Sequence, residues 1–147
     1  MEFITHSPEE TEMIGKAVAQ HLRPGDSIAL SGDLGAGKTV FARGILRGLG
    51  YAGRVTSPTF TIVNEYETPA GLVAHLDLYR ILQPEALWEI GLEEYLNGSR
   101  IVLIEWSENA GSLLPETIKH AVISYSAADD TRVIQLKGDW KIENIGV

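Results

Sequence analysis

Residues 32–39 read Gly-Asp-Leu-Gly-Ala-Gly-Lys-Thr, with the spacing G-x-x-x-x-G-K-T. No other segment constrains the fold as tightly. Glycines at 32, 35 and 37 let the backbone curl until successive N–H groups face one point, which suits a crowded polyphosphate. Lys38 then reaches the β/γ-oxygens and the Thr39 hydroxyl ligates Mg²⁺. The helix that follows aims its positive end at the same anion. The nucleotide-contacting stretch predicted on this basis is Asp33, Leu34, Gly35, Ala36, Gly37, Lys38, Thr39 and Val40.

The flanks give the motif its meaning. Residues 27–31, Ser-Ile-Ala-Leu-Ser, follow a Pro-Gly-Asp turn and read as a buried strand. Phe41, Ile45, Leu46 and Leu49 then recur at helical spacing until Gly50, a C-terminal stop. Upstream, Ser7-Pro8-Glu9-Glu10 starts a helix as N-cap, first-turn proline and capping-box glutamate. Met13, Ala17, Val18 and Leu22 are its expected apolar face.

Further along, residues 61–66 and 72–77 read as strands joined by a Thr-Pro-Ala-Gly turn, an antiparallel hairpin. Residues 84–96 read as a helix with Leu87, Ile90, Leu92 and Tyr95 inward. Glu85, Glu89 and Glu93 line its other side, a solvated face or a surface for a basic partner. The apolar run 100–105, closed by Glu105, suits a central parallel strand. Strands at 118–125 and 132–136 follow, and 140–147 gives no signal. The sum is an α/β, P-loop NTPase-like three-layer fold, with parallel central strands and added antiparallel ones.

A chain of 147 residues fits one domain, 1–147. No apolar stretch approaches a membrane span, and the start lacks the basic and apolar regions of a secretory signal. With no cysteine there is no disulfide or thiolate metal site, so the expected location is cytoplasmic. Acids outnumber Lys and Arg 20 to 12, a net charge of −8. Autonomous nucleic-acid binding, which leans on a basic patch, is not expected, and a basic protein partner fits the charge instead.

Ligands of open α/β sheets gather at the carboxyl ends of strands. Asp77 and Glu105 both end strands, and either could hold Mg²⁺ or orient an attacking water. Ser57-Pro58-Thr59-Phe60 lies where GTPase-like folds keep a loop that senses the γ-phosphate. Thr59 is the candidate there, ahead of Thr56 and Thr61. The alternative is a local Ser-Pro turn with Phe60 in the core. His75 reads as a satisfied structural residue or as a ligand or base. Arg80 reads as a charge-neutralising arginine or an ion-pair partner, and Trp106 as a nucleotide-stacking ring or a half-buried core residue.

No Asn-Lys-x-Asp segment is present, and Asp77-Leu78-Tyr79-Arg80 lacks the glycine of a GTPase switch, which favours ATP. A small-molecule kinase would use the same loop, but kinases carry arginines in a lid, and Arg132 is the single arginine after Trp106. A non-catalytic nucleotide-dependent binding module is the third reading.

Four blocks together, 34–39, 57–61, 75–80 and 104–106, resemble the bacterial tRNA threonylcarbamoyladenosine biosynthesis ATPase family. Their order and spacing span most of the chain, through Leu114-Pro115. The resemblance implies a slow ATPase that uses ATP and Mg²⁺ within a complex. Its partners there are a carbamoyltransferase-like subunit and a companion protein, which modify adenosine 37 of tRNA. Carried over by motif, Lys38 and Thr39 hold phosphate and Mg²⁺ and Thr59 belongs to a switch segment. Asp77 is catalytic, and Glu105 with Trp106 completes the nucleotide and metal site. Val40 departs from the family, which often has a second threonine there.

Overall fold

A computed structural model of the chain describes residues 1–32, 37–59, 61–140 and 142. Its frame is a seven-stranded sheet in the order β1-β7-β6-β2-β5-β4-β3. The strands are β1 (Glu2–Thr5), β2 (Ser27–Gly32), β3 (Val63–Thr68), β4 (Gly71–Asp77), β5 (Arg100–Glu105), β6 (Lys119–Ser126) and β7 (Thr131–Lys137). The central four, β6, β2, β5 and β4, pair in parallel. β3 adds antiparallel to β4 at one edge, and β7 and β1 add antiparallel beyond β6 at the other.

The buried strands follow from their composition. Ile101, Val102, Leu103 and Ile104 are all at most 1% exposed, as a run covered on both faces requires. On one face Ile28, Leu30, Val73, Ile101 and Leu103 pack against helices α1 (Pro8–Ala19) and α2 (Lys38–Gly48). On the other, Ala29, Ala74, Leu76, Val102 and Ile104 pack against α3 (Pro84–Glu89) and α4 (Leu92–Tyr95). These are the three layers expected.

Helix α1 starts as its sequence dictates. The Ser7 hydroxyl accepts the Glu10 N–H at 3.1 Å, and the Glu10 carboxylate accepts the His6 N–H at 2.8 Å. Val18 and Leu22 are inside as expected, joined by Ile14 and Ala19, whereas Ala17 is only half-buried and Met13 is 54% exposed. The reason is a close crossing of α1 on α2. A Cβ on Gly44 would lie 2.2 Å from the Glu12 carbonyl oxygen, and one on Gly15 2.5 Å from that of Phe41. Backbones this close fix which face of α1 turns inward. Gly44→Ala must push the helices apart, and we expect it to lower stability by about 2 kcal/mol, read by urea unfolding.

Helix α2 ends in the pattern expected at Gly50. Tyr51 N–H donates to the Leu46 carbonyl at 2.9 Å and Gly50 N–H to that of Arg47 at 3.1 Å. The predicted helix over 84–96 is two helices, interrupted at Gly91 with φ 75°. Leu87 and Leu92 are buried as expected, Ile90 and Tyr95 only in part, and Glu85, Glu89 and Glu93 are exposed. β3 begins two residues later than predicted because Ile62 has φ 70° and cannot continue an extended strand. β1 is an additional element. Trp140 is buried, its indole N–H shared between the carbonyls of His120 and Lys137. Among the described residues no helix is long and apolar enough to cross a membrane.

Candidate functional site

Parallel pairing delivers the two acids to one place. Asp77 and Glu105 are direct partners in the β4–β5 register, and Glu105 is also opposite Leu30 of β2. In-register residues of neighbouring strands project to the same face. The chain leaves β2 two residues past Leu30, at Gly32, where the glycine-rich loop begins. Gly32 is fixed by close approach: its φ is 144°, and a Cβ there would lie 2.0 Å from the Ile123 carbonyl oxygen of β6. A cavity of about 630 Å³ opens at these strand ends. Its wall includes Gly37, Lys38, Thr39 and Val40 at the start of α2, with Ser57 and Thr59 from the segment before β3. Asp77, Tyr79, Glu105 and Trp106 complete it.

Glu105 is the electrostatic centre. Its Oε1 lies 3.6 Å from Lys38 Nζ, and its Oε2 lies 2.9 Å from His75 Nε2. Burial pushes this carboxyl up. The His75 hydrogen bond and the charges of His75 and Lys38 more than offset that, and the net direction is down from the ordinary 4.5. A carboxyl depressed by folding stabilises the native state above its unfolded value, and the contribution disappears as pH falls through the lower folded value. Acidification below about pH 4.5 should therefore erode this part of the stability. In Glu105→Gln the same acid titration of unfolding free energy should be flatter.

Lys38 Nζ also stands 5.9 Å over the Trp106 ring, which in turn packs on Tyr79 with centroids 4.8 Å apart. Trp106 is 41% exposed, so its ring is open to a ligand on the cavity side. Its backbone is left-handed, φ 58°, where the chain turns sharply off β5. Strain of this kind collects at functional sites. Ile62, with φ 70°, is a second case on the other flank: its carbonyl accepts the Asp77 N–H at 2.8 Å. One Asp77 oxygen, Oδ1, accepts the Tyr79 N–H at 2.9 Å.

The segment carrying Thr59 is tied from β3. Asn64 Nδ2 donates to the Thr56 carbonyl at 3.1 Å and to its hydroxyl oxygen at 3.2 Å, and the Thr61 hydroxyl donates to Asn64 Oδ1 at 2.7 Å. Thr56 and Thr61 are thus engaged in bracing. Thr59 lines the cavity, its hydroxyl 2.7 Å from that of Ser57.

A family model described as "Threonylcarbamoyl adenosine biosynthesis protein TsaE" matches residues 5–134. The chain belongs to the TsaE family. It is 41% identical over 144 residues to the tRNA threonylcarbamoyladenosine biosynthesis protein TsaE of Haemophilus influenzae, covering 92% of this chain and 90% of that one. The protein of the same name from Bacillus subtilis is 42% identical over 130 residues, covering 88% and 80%. The crystal structure of YdiB from Bacillus subtilis superposes with a TM-score of 0.80 at 38% identity, over 94% of this chain and 84% of that one. The α/β P-loop architecture read from the sheet is therefore also that of a solved relative.

In this TsaE-family chain, most residues singled out by sequence converge. Gly37, Lys38, Thr39, Val40, Thr59, Asp77, Glu105 and Trp106 share one cavity. Asp33, Leu34, Gly35 and Ala36, also expected to contact nucleotide, lie outside the described residues, as does Phe60. Arg80 is exposed and is not among the cavity residues. His75 is fully buried and does not line the cavity, so it stands behind the site rather than in it.

Sequence reasoning assigns no site role to Tyr79 and weighs Arg132 only as the one arginine a lid could carry. Tyr79 is two residues past Asp77 in an Asp-Leu-Tyr-Arg segment, and that spacing was the available signal. Arg132 comes from β7, remote in sequence. A Cβ on Gly37 would lie 4.0 Å from its Nε, and its guanidinium also faces the Tyr125 ring at 4.1 Å. It belongs to a strand, not to a lid.

Among the described residues no group of three or more His, Asp or Glu could hold a metal by itself. The oxygen donors Thr39, Asp77 and Glu105 nevertheless face one cavity. Few protein oxygens alongside substrate phosphates is the arrangement that suits Mg²⁺.

Proposed function

We propose that the chain, as a single domain over residues 1–147, is an ATPase whose hydrolysis serves a protein complex forming the threonylcarbamoyl modification at adenosine 37 of tRNA. The observation that carries the reading is the convergence of Lys38, Thr39, Asp77 and Glu105 on one cavity at the start of α2. In this reading Lys38 neutralises β/γ-phosphate charge, and the N-terminus of α2 adds its dipole. The Thr39 hydroxyl and a Glu105 oxygen would hold Mg²⁺, which would neutralise charge on the phosphates. Asp77 orients water for attack on the γ-phosphorus, and the bond to the β–γ bridging oxygen breaks, leaving ADP and phosphate. Thr59 meets the γ-phosphate, and Trp106 with Tyr79 forms an aromatic wall for the nucleotide.

A cytoplasmic, partner-dependent role is part of this proposal. The partners are the carbamoyltransferase-like subunit and its companion protein. Two features support dependence on protein rather than on RNA. Net charge is −8, which disfavours phosphate backbones. Leu82 and Trp88 are 86% and 60% exposed, and Glu85 and Glu89, close to them in the chain, are exposed acids, so this segment offers both apolar and anionic groups to a protein partner. Pull-down with the purified chain should recover both partners, and a non-hydrolysable ATP analogue should change the yield. Trp88→Ala should weaken recovery several-fold without altering nucleotide binding. A chain that recovers neither partner in either nucleotide state, or that shifts tRNA in a gel at low micromolar concentration, contradicts the proposal.

A further inference from the structure

We propose that His75 is a positioning residue that divides the work of the Glu105 carboxylate, holding Oε2 from behind so that Oε1 alone is presented to the cavity. The inference rests on the nucleotide-site reading above and adds a residue to it.

His75 lies within the β4 run Val73-Ala74-His75-Leu76, where every residue is at most 1% exposed. Its register partner on β5 is Leu103. An apolar side chain at 75 would suit such surroundings. An imidazole there is costly, because buried polar nitrogen has to find partners. Only one of its nitrogens does. Nε2 meets Glu105 Oε2 at 2.9 Å, whereas Nδ1 has no hydrogen-bond partner among the described residues. A carboxylate only accepts, so Nε2 is the nitrogen that donates. Among the described residues the ring's polar contact is therefore directed at Glu105.

The consequence for Glu105 is geometric. A glutamate has three rotatable bonds, and at a strand end its carboxylate would otherwise sample several orientations. With Oε2 held, Oε1 falls 3.6 Å from Lys38 Nζ, at the phosphate side of the cavity. Partners behind a metal-binding carboxylate set its orientation in just this way.

The test uses the full chain, a fluorescent ATP analogue and Mg²⁺, with binding measured both in excess Mg²⁺ and in EDTA. His75→Gln keeps an amide N–H near the place of Nε2; His75→Asn is also a polar amide but is too short to reach Oε2. His75→Met fills the space without a donor. Thermal melting without nucleotide reports whether each variant folds. The expected result is that Gln retains most of the Mg²⁺-dependent gain in affinity. Asn and Met lose about tenfold of it or more, with affinities in EDTA within twofold of wild type.

Two results would overturn the proposal: folded Asn and Met variants with the full Mg²⁺ gain, or losses of equal size with and without Mg²⁺. If Met fails to fold, the Asn and Gln pair still decides, since a merely structural role moves both together. Failure of the underlying reading looks different: wild type itself would then bind no nucleotide in either condition.

Discussion

Lys38→Ala is expected to abolish nucleotide turnover, with a loss of at least about 100-fold in phosphate release and a large loss of affinity. The expectation follows from position and charge. Lys38 is the first residue of α2, is 14% exposed in its side chain, and reaches toward the strand-end acid rather than toward solvent. Among the described residues that line the cavity Lys38 is the one cation. The substitution also removes one of the charges that hold Glu105 ionised. The variant should therefore show a carboxyl shifted upward and a protein somewhat less stable to acid. Lys38→Met retains most of the stem volume and separates lost packing from lost charge: it should be equally inactive and better folded.

Glu105→Gln is expected to lower phosphate release about 100-fold or more, while nucleotide affinity in EDTA stays near that of wild type. The amide keeps the size of the side chain but loses the charge that a cation requires. In the nucleotide-free chain, removing a negative group from a phosphate site does not weaken phosphate binding in itself. The defect should thus lie in Mg²⁺ dependence and turnover. Asp77→Asn should separate from it. Asp77 keeps one oxygen on the Tyr79 N–H, and its proposed task is the water, so the variant should retain Mg²⁺-nucleotide affinity and lose turnover.

Much of this site was legible in the chain because the information is local. The glycine loop, the apolar run ending at Glu105 and the capping box at Ser7 each depend on residues within one or two turns of one another. β5 occupies the residues its apolar run predicted, 100–105. What could not be read is set by strand order. Asp77 and Glu105 are adjacent because β4 and β5 pair in parallel register. His75 reaches Glu105 across 30 positions. Arg132 approaches Gly37 because β7 folds back on β6. No periodicity encodes these.

Local readings also failed where tertiary packing overrode them. The expected apolar face of α1 holds at Val18 and Leu22 but not at Met13, which turns outward where Gly15 and Gly44 let the helices meet closely. The helix over 84–96 broke at Gly91, whose left-handed backbone the helical spacing of leucines did not anticipate. β1 is not legible in the sequence because its four residues give too short an alternation. Its inward side is Phe3, packed on the core, and Thr5, whose hydroxyl is 2.7 Å from that of Thr11.

Phosphate release from ATP by the purified chain, with the two partner proteins present, tests the central claim most directly. The account predicts Mg²⁺-dependent release that is faster with ATP than with GTP, that is lost in Lys38→Ala, and that falls with Glu105→Gln. Release that is absent from the wild type with its partners, or that persists unchanged in Lys38→Ala, would contradict it.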